Sequence, residues 1–376
     1  MARQFGYVAP ERTDKEEPMK TKAAIIEAKN TPLLLEEVEL ADPGPGEVCI
    51  KIEACGICRS DLHAIDGGEG VTFPAVLGHE AAGIVAALGP GVQRLREGDR
   101  VILSWTPACG RCPPCLRDEV QLCQRLRMST GTEDSLSWNG RGLDRFMGLG
   151  AFREHVVVPE GMAIPFSGEI PAAHACLIGC AVMTGFGAAA KTAAVRWGES
   201  VAVIGCGGVG LSAIQGARVA GASMILAIDP IEERRQAALR LGASVALDIP
   251  DAVGNVLEAT GGGVEVAIEC VGRSEAMLDA FNMIRPGGRA VVVGLPNFND
   301  TLNIPAIVLL ATEKSIKGSI YGSAHPMRDF PRLVSLYDQG KLDLATLIGK
   351  TRPLSEVNEG IAEMRQGNLT RVVLTF

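Results

Sequence analysis

Residues 201–229 read VAVIGCGGVGLSAIQGARVAGASMILAID: an apolar run, a glycine-rich turn, a helical pattern and a second apolar run. The turn GCGGVG at 205–210 has the spacing Gly-x-Gly-x-x-Gly. In a chain with 45 glycines that spacing alone would be a weak signal. An apolar strand before it and a helix after it make the signal specific. The stretch therefore predicts the first strand, turn and helix of a dinucleotide-binding unit.

Each position in this motif has a physical role. Gly205 permits the tight turn, Gly207 lets the backbone approach a pyrophosphate, and Gly210 lets helix and strand pack closely. The helix that begins near Gly208 directs unpaired N–H groups and a positive dipole toward the phosphates. Asp229 ends the next apolar run, and its carboxylate would accept hydrogen bonds from a ribose diol and repel a 2′-phosphate. We therefore predict NAD rather than NADP, with a glycine turn that binds no nucleotide as the alternative.

The pattern of the chain changes near residue 181. Residues 20–180 contain short β-runs such as EVCIKIEA and DRVILSW, broken by glycine and proline, which predicts a mainly β, barrel-like domain. After that point strands and helices alternate, and this alternation predicts an α/β unit with a doubly wound, parallel (Rossmann) sheet. The tail RVVLTF at 371–376 is again typical of a strand.

Composition and charge exclude several classes of protein. The net charge of −8 argues against general nucleic-acid binding. The polar start MARQFGYVAPERTDKEEP lacks the apolar segment of a signal peptide, and no uninterrupted apolar run reaches about eighteen residues. We therefore expect a soluble, cytoplasmic protein with no membrane partner, and a loose N-terminal extension at residues 1–18.

A cysteine cluster provides the strongest metal signal. The spacing C-x2-C-x2-C-x7-C matches a closed, tetrahedral, structural zinc site. Gly110, Pro113 and Pro114 interrupt it, as a loop wrapped around a metal requires. Disulfides or buried free thiols are the alternatives, but disulfides rarely persist in the cytosol. The four cysteines are Cys109, Cys112, Cys115 and Cys123.

Two further cysteines and a histidine stand alone in the sequence. Cys58, His79 and Cys180 are separated by 21 and 101 residues, which fits no local metal motif. On spacing alone, buried apolar cysteines are the simpler interpretation.

Several stretches together resemble one family. GICRSDLH (56–63), GHE (78–80), the cysteine cluster, LIGCAVMTGFG (177–187), GCGGVG and RVVLTF occur in the order found in the zinc-dependent medium-chain alcohol dehydrogenases. The resemblance extends from about Met19 to the end of the chain. The long segment between Cys123 and Phe152 is most similar to the longer animal and plant type, which is usually dimeric.

The resemblance implies an architecture. It assigns residues 19–181 and 322–376 to a GroES-like catalytic domain that holds zinc, and residues 182–321 to the NAD-binding Rossmann domain. The active site would lie in the cleft between the two domains. The apolar stretch NIPAIVLL at 303–310 lies where dimers of the family pair, so we expect a homodimer.

The resemblance also implies two zinc ions per chain. Cys58, His79 and Cys180 would bind a catalytic zinc and leave a fourth position open. Glu80 resembles the carboxylate that approaches this metal during ligand exchange. Asp61 resembles the group that orients the zinc-bound imidazole. The cysteine cluster would hold the second, structural zinc.

Further residues are assigned to the reaction by the same resemblance. Zinc would lower the pKa of a bound alcohol, and hydride would pass to the nicotinamide. Ser60 would hydrogen-bond the reacting oxygen, and His63 would end a proton relay. Arg59 and Arg371 would contact the cofactor phosphates. The positions expected to line the nicotinamide are Thr184, Val209, Val293 and Tyr321.

The substrate is less sharply indicated. Trp105 resembles an aromatic pocket wall that favours primary alcohols or aldehydes. Glu69 and Arg127 align with charged positions of the glutathione-dependent formaldehyde dehydrogenases, so an S-hydroxymethyl thiol is the alternative substrate. A non-catalytic nucleotide-binding relative is a remote third hypothesis. Loss of a catalytic zinc ligand would mark it, and all three ligand residues are present.

Overall fold

The computed structural model of the chain describes residues 18–68, 70–126, 133–297, 299–367 and 370–376. Its strands form three sheets. In chain order the strands are β1 (Met19–Ile26), β2 (Leu34–Leu40), β3 (Glu47–Ile57), β4 (Ala75–Val76), β5 (Glu80–Leu88), β6 (Arg100–Leu103), β7 (Glu133–Trp138), β8 (Arg141–Arg145), β9 (His155–Pro159), β10 (Ala163–Pro165), β11 (Ser200–Ile204), β12 (Met224–Ile228), β13 (Val245–Leu247), β14 (Val264–Glu269), β15 (Ile284–Val292), β16 (Ser315–Gly318), β17 (Lys350–Pro353) and β18 (Val372–Thr375). The helices are α1 (Arg59–Ile65), α2 (Pro113–Leu116), α3 (Ala172–Leu177), α4 (Met183–Gly187), α5 (Gly208–Ala220), α6 (Glu232–Leu241), α7 (Ala252–Thr260), α8 (Ser274–Met283), α9 (Ala306–Thr312), α10 (Pro326–Asp338) and α11 (Val357–Gln366).

The first sheet is a small closed barrel in the order β1-β2-β7-β8-β4. It closes because β1 pairs antiparallel with both β2 and β4, while β4 runs parallel to β8. Residues 23–26 of β1 are completely buried, so this strand contributes its apolar side chains to the core. Closure leaves the barrel without a free edge.

The second sheet contains the last strand of the chain, β18, which lies between β3 and β17. Its order is β10-β6-β5-β3-β18-β17, and β9 also pairs with β3. β18 runs antiparallel to β3, with Val373 opposite Gly56. Both strands are apolar and buried along most of their length. The last strand therefore lies beside the strand that leads into Cys58.

The third sheet is parallel throughout, in the order β13-β12-β11-β14-β15-β16. Its central strands are continuous apolar runs, as expected where helices cover both faces. The strand order reverses between β11 and β14. Ligands of such sheets bind beyond the carboxyl ends of the strands at this reversal.

One long helix connects the β-rich part to the parallel sheet. Residues Ala172–Thr192 comprise α3, α4 and two π-helical turns, the first at Ile178–Val182. This helix has 21 residues and its most apolar window has a mean hydropathy of 1.5, so by length and composition it could cross a membrane. However, 72% of its most apolar window is buried inside the protein, which is the environment of a core helix.

The fold class predicted from the sequence is confirmed. A doubly wound parallel sheet follows a mainly β part that contains a closed barrel. The strand predicted at 201–205 is β11, and the helix predicted after the glycine turn is α5. Residues 1–17, where we expect a loose extension, lie outside the described residues. The domain boundaries remain predictions.

Candidate active site and metal centres

The four clustered cysteines meet in one loop. Their sulfur atoms all lie within 4.8 Å of one another. The loop bends at Gly110, whose φ of +71° suits glycine, and two prolines begin the short α2. Backbone N–H groups, that of Cys115 first among them, lower the pKa of the Cys112 thiol to about 6. None of the four sulfurs forms a disulfide in this structure, so the loop has the arrangement of a metal site.

A second cluster forms in the core from residues that are remote in sequence. Ligand atoms of Cys58, His79, Glu80 and Cys180 lie within 4.8 Å of one another, and all four residues are buried. Cys58 directly precedes α1, His79 directly precedes β5, and Cys180 stands in the first π-helical turn. Such turns often occur at functional sites because they redirect a side chain.

Asp61 organises this second cluster. One carboxylate oxygen accepts the Cys58 N–H at 2.8 Å, and the other accepts the Gly78 N–H at 3.0 Å. The latter oxygen also lies 3.3 Å from Nδ1 of His79. A carboxylate partner favours a proton on Nδ1, so Nε2 is left with a lone pair. Nε2 is buried and has no hydrogen-bond partner among the described residues. A metal ion is the kind of group that satisfies such an atom.

Glu80 is paired with an arginine from the end of the chain. Arg371 donates from Nη2 to Oε1 of Glu80 at 3.0 Å and from Nε to Oε2 at 3.2 Å. Its Nη2 also lies 3.5 Å from the sulfur of Cys58. Burial raises the pKa of Glu80 to about 7, although Arg371 opposes the shift. The pKa of Cys58 is lowered, chiefly by a hydrogen bond with Cys180. The cluster therefore favours one thiolate before any metal binds.

The glycine turn has the geometry that its sequence predicts. Gly205 has φ +88°. A Cβ on Gly210 would lie 1.7 Å from the carbonyl oxygen of Gly205, whereas a Cβ on Gly207 would meet nothing within 4 Å. A Cβ on Gly208 would lie 3.3 Å from Cζ of Arg371. Arg371 therefore stands between the glycine turn and the buried cluster, in contact with Glu80.

Asp229 is hydrogen-bonded to the same glycine turn. Its carboxylate accepts the Cys206 N–H at 2.8 Å and the Ile231 N–H at 2.9 Å. Nη1 of Arg234 lies 3.7 Å from it, and the residue is 2% exposed. Asp229 thus supports the turn from the end of β12.

The predicted relay and phosphate residues share α1. Oγ of Ser60 lies 3.8 Å from the sulfur of Cys58. His63 occupies the last turn of α1, and a Cβ on Gly68 would lie 2.3 Å from its Nε2. Ser60 and His63 are half-buried, while Arg59 is exposed. Along α1, these residues therefore extend from the buried cluster to the surface.

Three of the residues expected around the nicotinamide are brought together by helix packing. A Cβ on Gly185 would lie 2.0 Å from the carbonyl oxygen of Val209. A Cβ on Gly322 would lie 2.7 Å from the carbonyl oxygen of Thr184. Thr184 therefore lies between the glycine turn and the turn that follows Tyr321. Val293 is half-buried at the end of β15.

Trp105 and Tyr321 form one aromatic wall. Their ring centroids are 4.0 Å apart at 34°, and the Tyr321 hydroxyl donates to the Gly179 carbonyl. Tyr321 is 2% exposed, so its ring packs on Trp105 in the interior. Phe146 stands edge-on to His79 at 5.7 Å and is also buried. Sequence reasoning missed Phe146, because nothing around it in the chain connects it with His79.

The two charged residues on which the thiol-adduct alternative depends, Glu69 and Arg127, lie outside the described residues.

Comparisons with known proteins agree with this arrangement. Residues 44–172 match the Alcohol dehydrogenase GroES-like domain family, and residues 208–339 match the Zinc-binding dehydrogenase family. The chain is 38% identical over 366 residues to the NDMA-dependent alcohol dehydrogenase of Amycolatopsis methanolica, covering 95% of this chain and 99% of the relative.

Solved structures give the same result. An alcohol dehydrogenase zinc-binding domain protein from Burkholderia ambifaria has a TM-score of 0.92 and 32% identity, covering 96% of this chain and 100% of that one. Benzyl alcohol dehydrogenase from Acinetobacter calcoaceticus has a TM-score of 0.90 and 31% identity, covering 95% and 99%. The chain belongs to the zinc-dependent medium-chain alcohol dehydrogenase family, and the protein is an oxidoreductase of that family.

Proposed function

We propose that this protein is a NAD-dependent enzyme that interconverts a primary alcohol and its aldehyde with the aid of a catalytic zinc. One observation carries the proposal: Cys58, His79 and Cys180 converge in the core, and Nε2 of His79 is buried there without a partner among the described residues. Two cysteines and one histidine form a donor set that suits Zn²⁺ and leaves one coordination position for substrate.

The cysteine loop fits a second, structural zinc. Four thiolates saturate a tetrahedral ion and leave no position for substrate. We therefore assign the two donor clusters to one catalytic and one structural zinc ion. The metal content of the purified protein tests this assignment. Two zinc ions per chain would support the assignment, while a single ion would contradict it.

The side chains around the catalytic cluster have separable tasks. A zinc ion bound there would act as a Lewis acid toward the oxygen of an alcohol or aldehyde. Asp61 holds the proton on Nδ1 of His79 and so directs Nε2 inward. Arg371 neutralises Glu80 and lies close to the sulfur of Cys58. Ser60 and His63 offer a route by which a proton leaves the buried site.

The cofactor assignment depends on the glycine turn and Asp229. The open space at Gly207 and the start of α5 suit a pyrophosphate. The carboxylate of Asp229 favours a free ribose diol, so we propose NAD over NADP. NAD supplies the hydride acceptor for alcohol oxidation.

A primary alcohol suits the surroundings of the cluster. The rings of Trp105 and Tyr321 pack against each other at a tilt, and Phe146 stands edge-on to His79. In our proposal these rings border the substrate position, where they favour flat or unbranched apolar groups over bulky branched ones. The similarity to a benzyl alcohol dehydrogenase supports aromatic primary alcohols as candidates. The S-hydroxymethyl thiol alternative depends on Glu69 and Arg127 and is decided by the assay.

Activity on a panel of substrates tests the proposal. NADH formation is measured with ethanol, hexanol, benzyl alcohol, a long ω-hydroxy acid, and formaldehyde with and without glutathione. A parallel series offers NDMA as the electron acceptor, because the Amycolatopsis relative is named for it. Oxidation of primary alcohols that is lost in Cys180→Ala supports the proposal. Turnover that requires glutathione would replace it with the thiol-adduct reaction.

We further propose that the protein is a cytoplasmic homodimer. Ile307 and Leu310 on α9 are 67% and 78% exposed, and an apolar surface of this kind is typical of a subunit interface. None of the eleven cysteines forms a disulfide, which suits a reducing compartment.

A further inference from the structure

Glu269 is a buried acid that none of the assignments above uses. It is the last residue of β14 and is 0% exposed. β14 lies next to β11 at the reversal of strand order, with Glu269 opposite Ile204. Gly205 follows Ile204 and begins the glycine turn. Glu269 therefore stands at the edge of the crevice in which such sheets bind nucleotides.

The side chain of Glu269 supports the turn that follows it. Its Oε1 accepts the N–H groups of Val271 and Gly272, each at 2.6 Å. This turn touches the glycine turn, because a Cβ on Gly205 would lie 2.6 Å from Cγ2 of Val271. The position of the 270–272 turn thus limits how the glycine turn can be placed.

The backbone of Glu269 supports a third turn. Its carbonyl oxygen accepts the N–H groups of Val293 at 2.9 Å and Gly294 at 3.1 Å. The two outer turns are also in direct contact, since a Cβ on Gly294 would lie 2.0 Å from the nitrogen of Gly272. Glu269 therefore connects the 293–294 turn, which is predicted to contact the nicotinamide, with the 270–272 turn, which borders the predicted phosphate site.

The second carboxyl oxygen of Glu269 is unusual. Oε2 is buried and has no hydrogen-bond partner within the described part of the chain. An ionised carboxylate would leave charge on that atom in an apolar setting. Burial raises the pKa of Glu269, and the opposing groups are backbone N–H groups, that of Gly272 first. The two N–H groups that Oε1 accepts are therefore the contacts that hold this side chain in place.

We propose that Glu269 is a cofactor-positioning residue that aligns the 205–207, 270–272 and 293–294 turns for nicotinamide dinucleotide. It acts through these turns and touches no reacting atom. The inference rests on the proposed function, since it needs a dinucleotide in the crevice. It predicts that the side chain determines cofactor affinity more strongly than it determines stability.

Three substitutions at Glu269 separate this role from plain structural support. Glu269→Gln keeps an acceptor oxygen and nearly the same side-chain shape. Glu269→Asp draws the acceptor back from Val271 and Gly272, and Glu269→Leu removes it. Glu265 supplies the control at the opposite end of β14, where its carboxylate accepts the Ser200 N–H at 2.7 Å and Nε of Arg285 donates to it at 3.1 Å. Glu265→Leu removes a comparable support far from the crevice.

The probe is NADH, titrated by fluorescence into each purified, zinc-loaded variant, with Tm and zinc content measured alongside. We expect Glu269→Leu to weaken NADH binding about tenfold and Glu269→Asp to weaken it about fivefold, because unpaired buried N–H groups destabilise the bound arrangement of the turns. Glu269→Gln and Glu265→Leu should stay within about twofold of the parent. The KM for NAD should rise in parallel, while the KM for the alcohol should change little.

The outcomes can be told apart. Parent-like NADH affinity in Glu269→Asp would overturn the inference, even if Glu269→Leu does not fold. Equal loss of affinity in Glu269→Leu and Glu265→Leu would also overturn it, because that result would indicate general destabilisation. If the parent protein itself binds no NADH, the proposed cofactor fails and the inference fails with it.

Discussion

His79 and Asp61 form a fully buried pair, with Nδ1 of the imidazole 3.3 Å from Oδ1 of the carboxylate. The same carboxylate also accepts the N–H of Cys58 at 2.8 Å. One acid therefore determines the orientation of one proposed zinc ligand and the backbone position of another.

Asp61→Asn should weaken the catalytic zinc site selectively. The amide removes the negative charge that holds the proton on Nδ1 of His79. Substitutions of such supporting groups lower metal affinity by about 10–100-fold. Zinc content after graded chelation should fall from two ions to one per chain, with activity lost in step. Retention of both ions at parent chelator concentrations would contradict the role given to Asp61.

Cys112→Ser should affect stability before activity. The loop that contains it binds no substrate in our proposal, and structural zinc contributes directly to folding. We expect the Tm to fall by roughly 5–10 °C with loss of one zinc, while activity per folded molecule at low temperature stays near the parent value. Cys180→Ser is the matched variant at the catalytic cluster, and it should lose activity while the Tm changes little. An inactive but equally stable Cys112→Ser protein would contradict the structural assignment.

Asp229→Ser should shift cofactor preference toward NADP. Serine retains an acceptor for the Cys206 N–H but removes the charge that repels a 2′-phosphate. Arg234, now 3.7 Å from the carboxylate, would then be free to attract that phosphate. The ratio of kcat/KM for NAD to that for NADP should fall by one to two orders of magnitude, since hydrogen bonds to charged groups contribute about 1.5–3 kcal/mol. An unchanged ratio would remove Asp229 from cofactor discrimination.

His63→Gln should slow turnover most below neutral pH. Glutamine cannot accept the proton that the proposed relay delivers to the imidazole. General acid–base groups contribute about 10²–10⁴-fold, and a partial relay should lie near the lower end. Added imidazole buffer should restore part of the rate. Arg59→Gln, on the same helix, should instead raise the KM for NAD. A parent-like pH profile in His63→Gln would exclude His63 from the relay.

Leu310→Glu should disrupt the proposed dimer. Leu310 is 78% exposed on α9, and a charge there cannot be buried against a second subunit without a partner. Light scattering should report a monomer. Ile249→Glu, at a residue 51% exposed in the loop that follows β13, should leave the assembly unchanged. Dimers that survive Leu310→Glu would move the interface away from α9.

Resemblance and local pattern together predicted much of the candidate site. Cys58 could be suspected from GICRSDLH and Cys180 from LIGC, yet their spacing indicated no shared site. The contact of Arg371 with Glu80 was not predicted, because it depends on β18 pairing with β3 in a particular register. Phe146 was missed because its contact with His79 depends on tertiary packing and leaves no mark in the local sequence.

The sequence by itself determined the local structural motifs of this protein. These are the glycine turn after an apolar strand, the helix that follows the turn, and the four-cysteine loop. Each depends on residues close together in the chain, so spacing is enough to specify it. Only the tertiary structure decided that Cys58, His79 and Cys180 meet, that Arg371 stands between Glu80 and the glycine turn, and that Tyr321 stacks on Trp105. Most of those contacts join residues more than a hundred positions apart, and even Cys58 and His79 are separated by 21 residues. Strand register and helix packing determine them, and no short pattern encodes either.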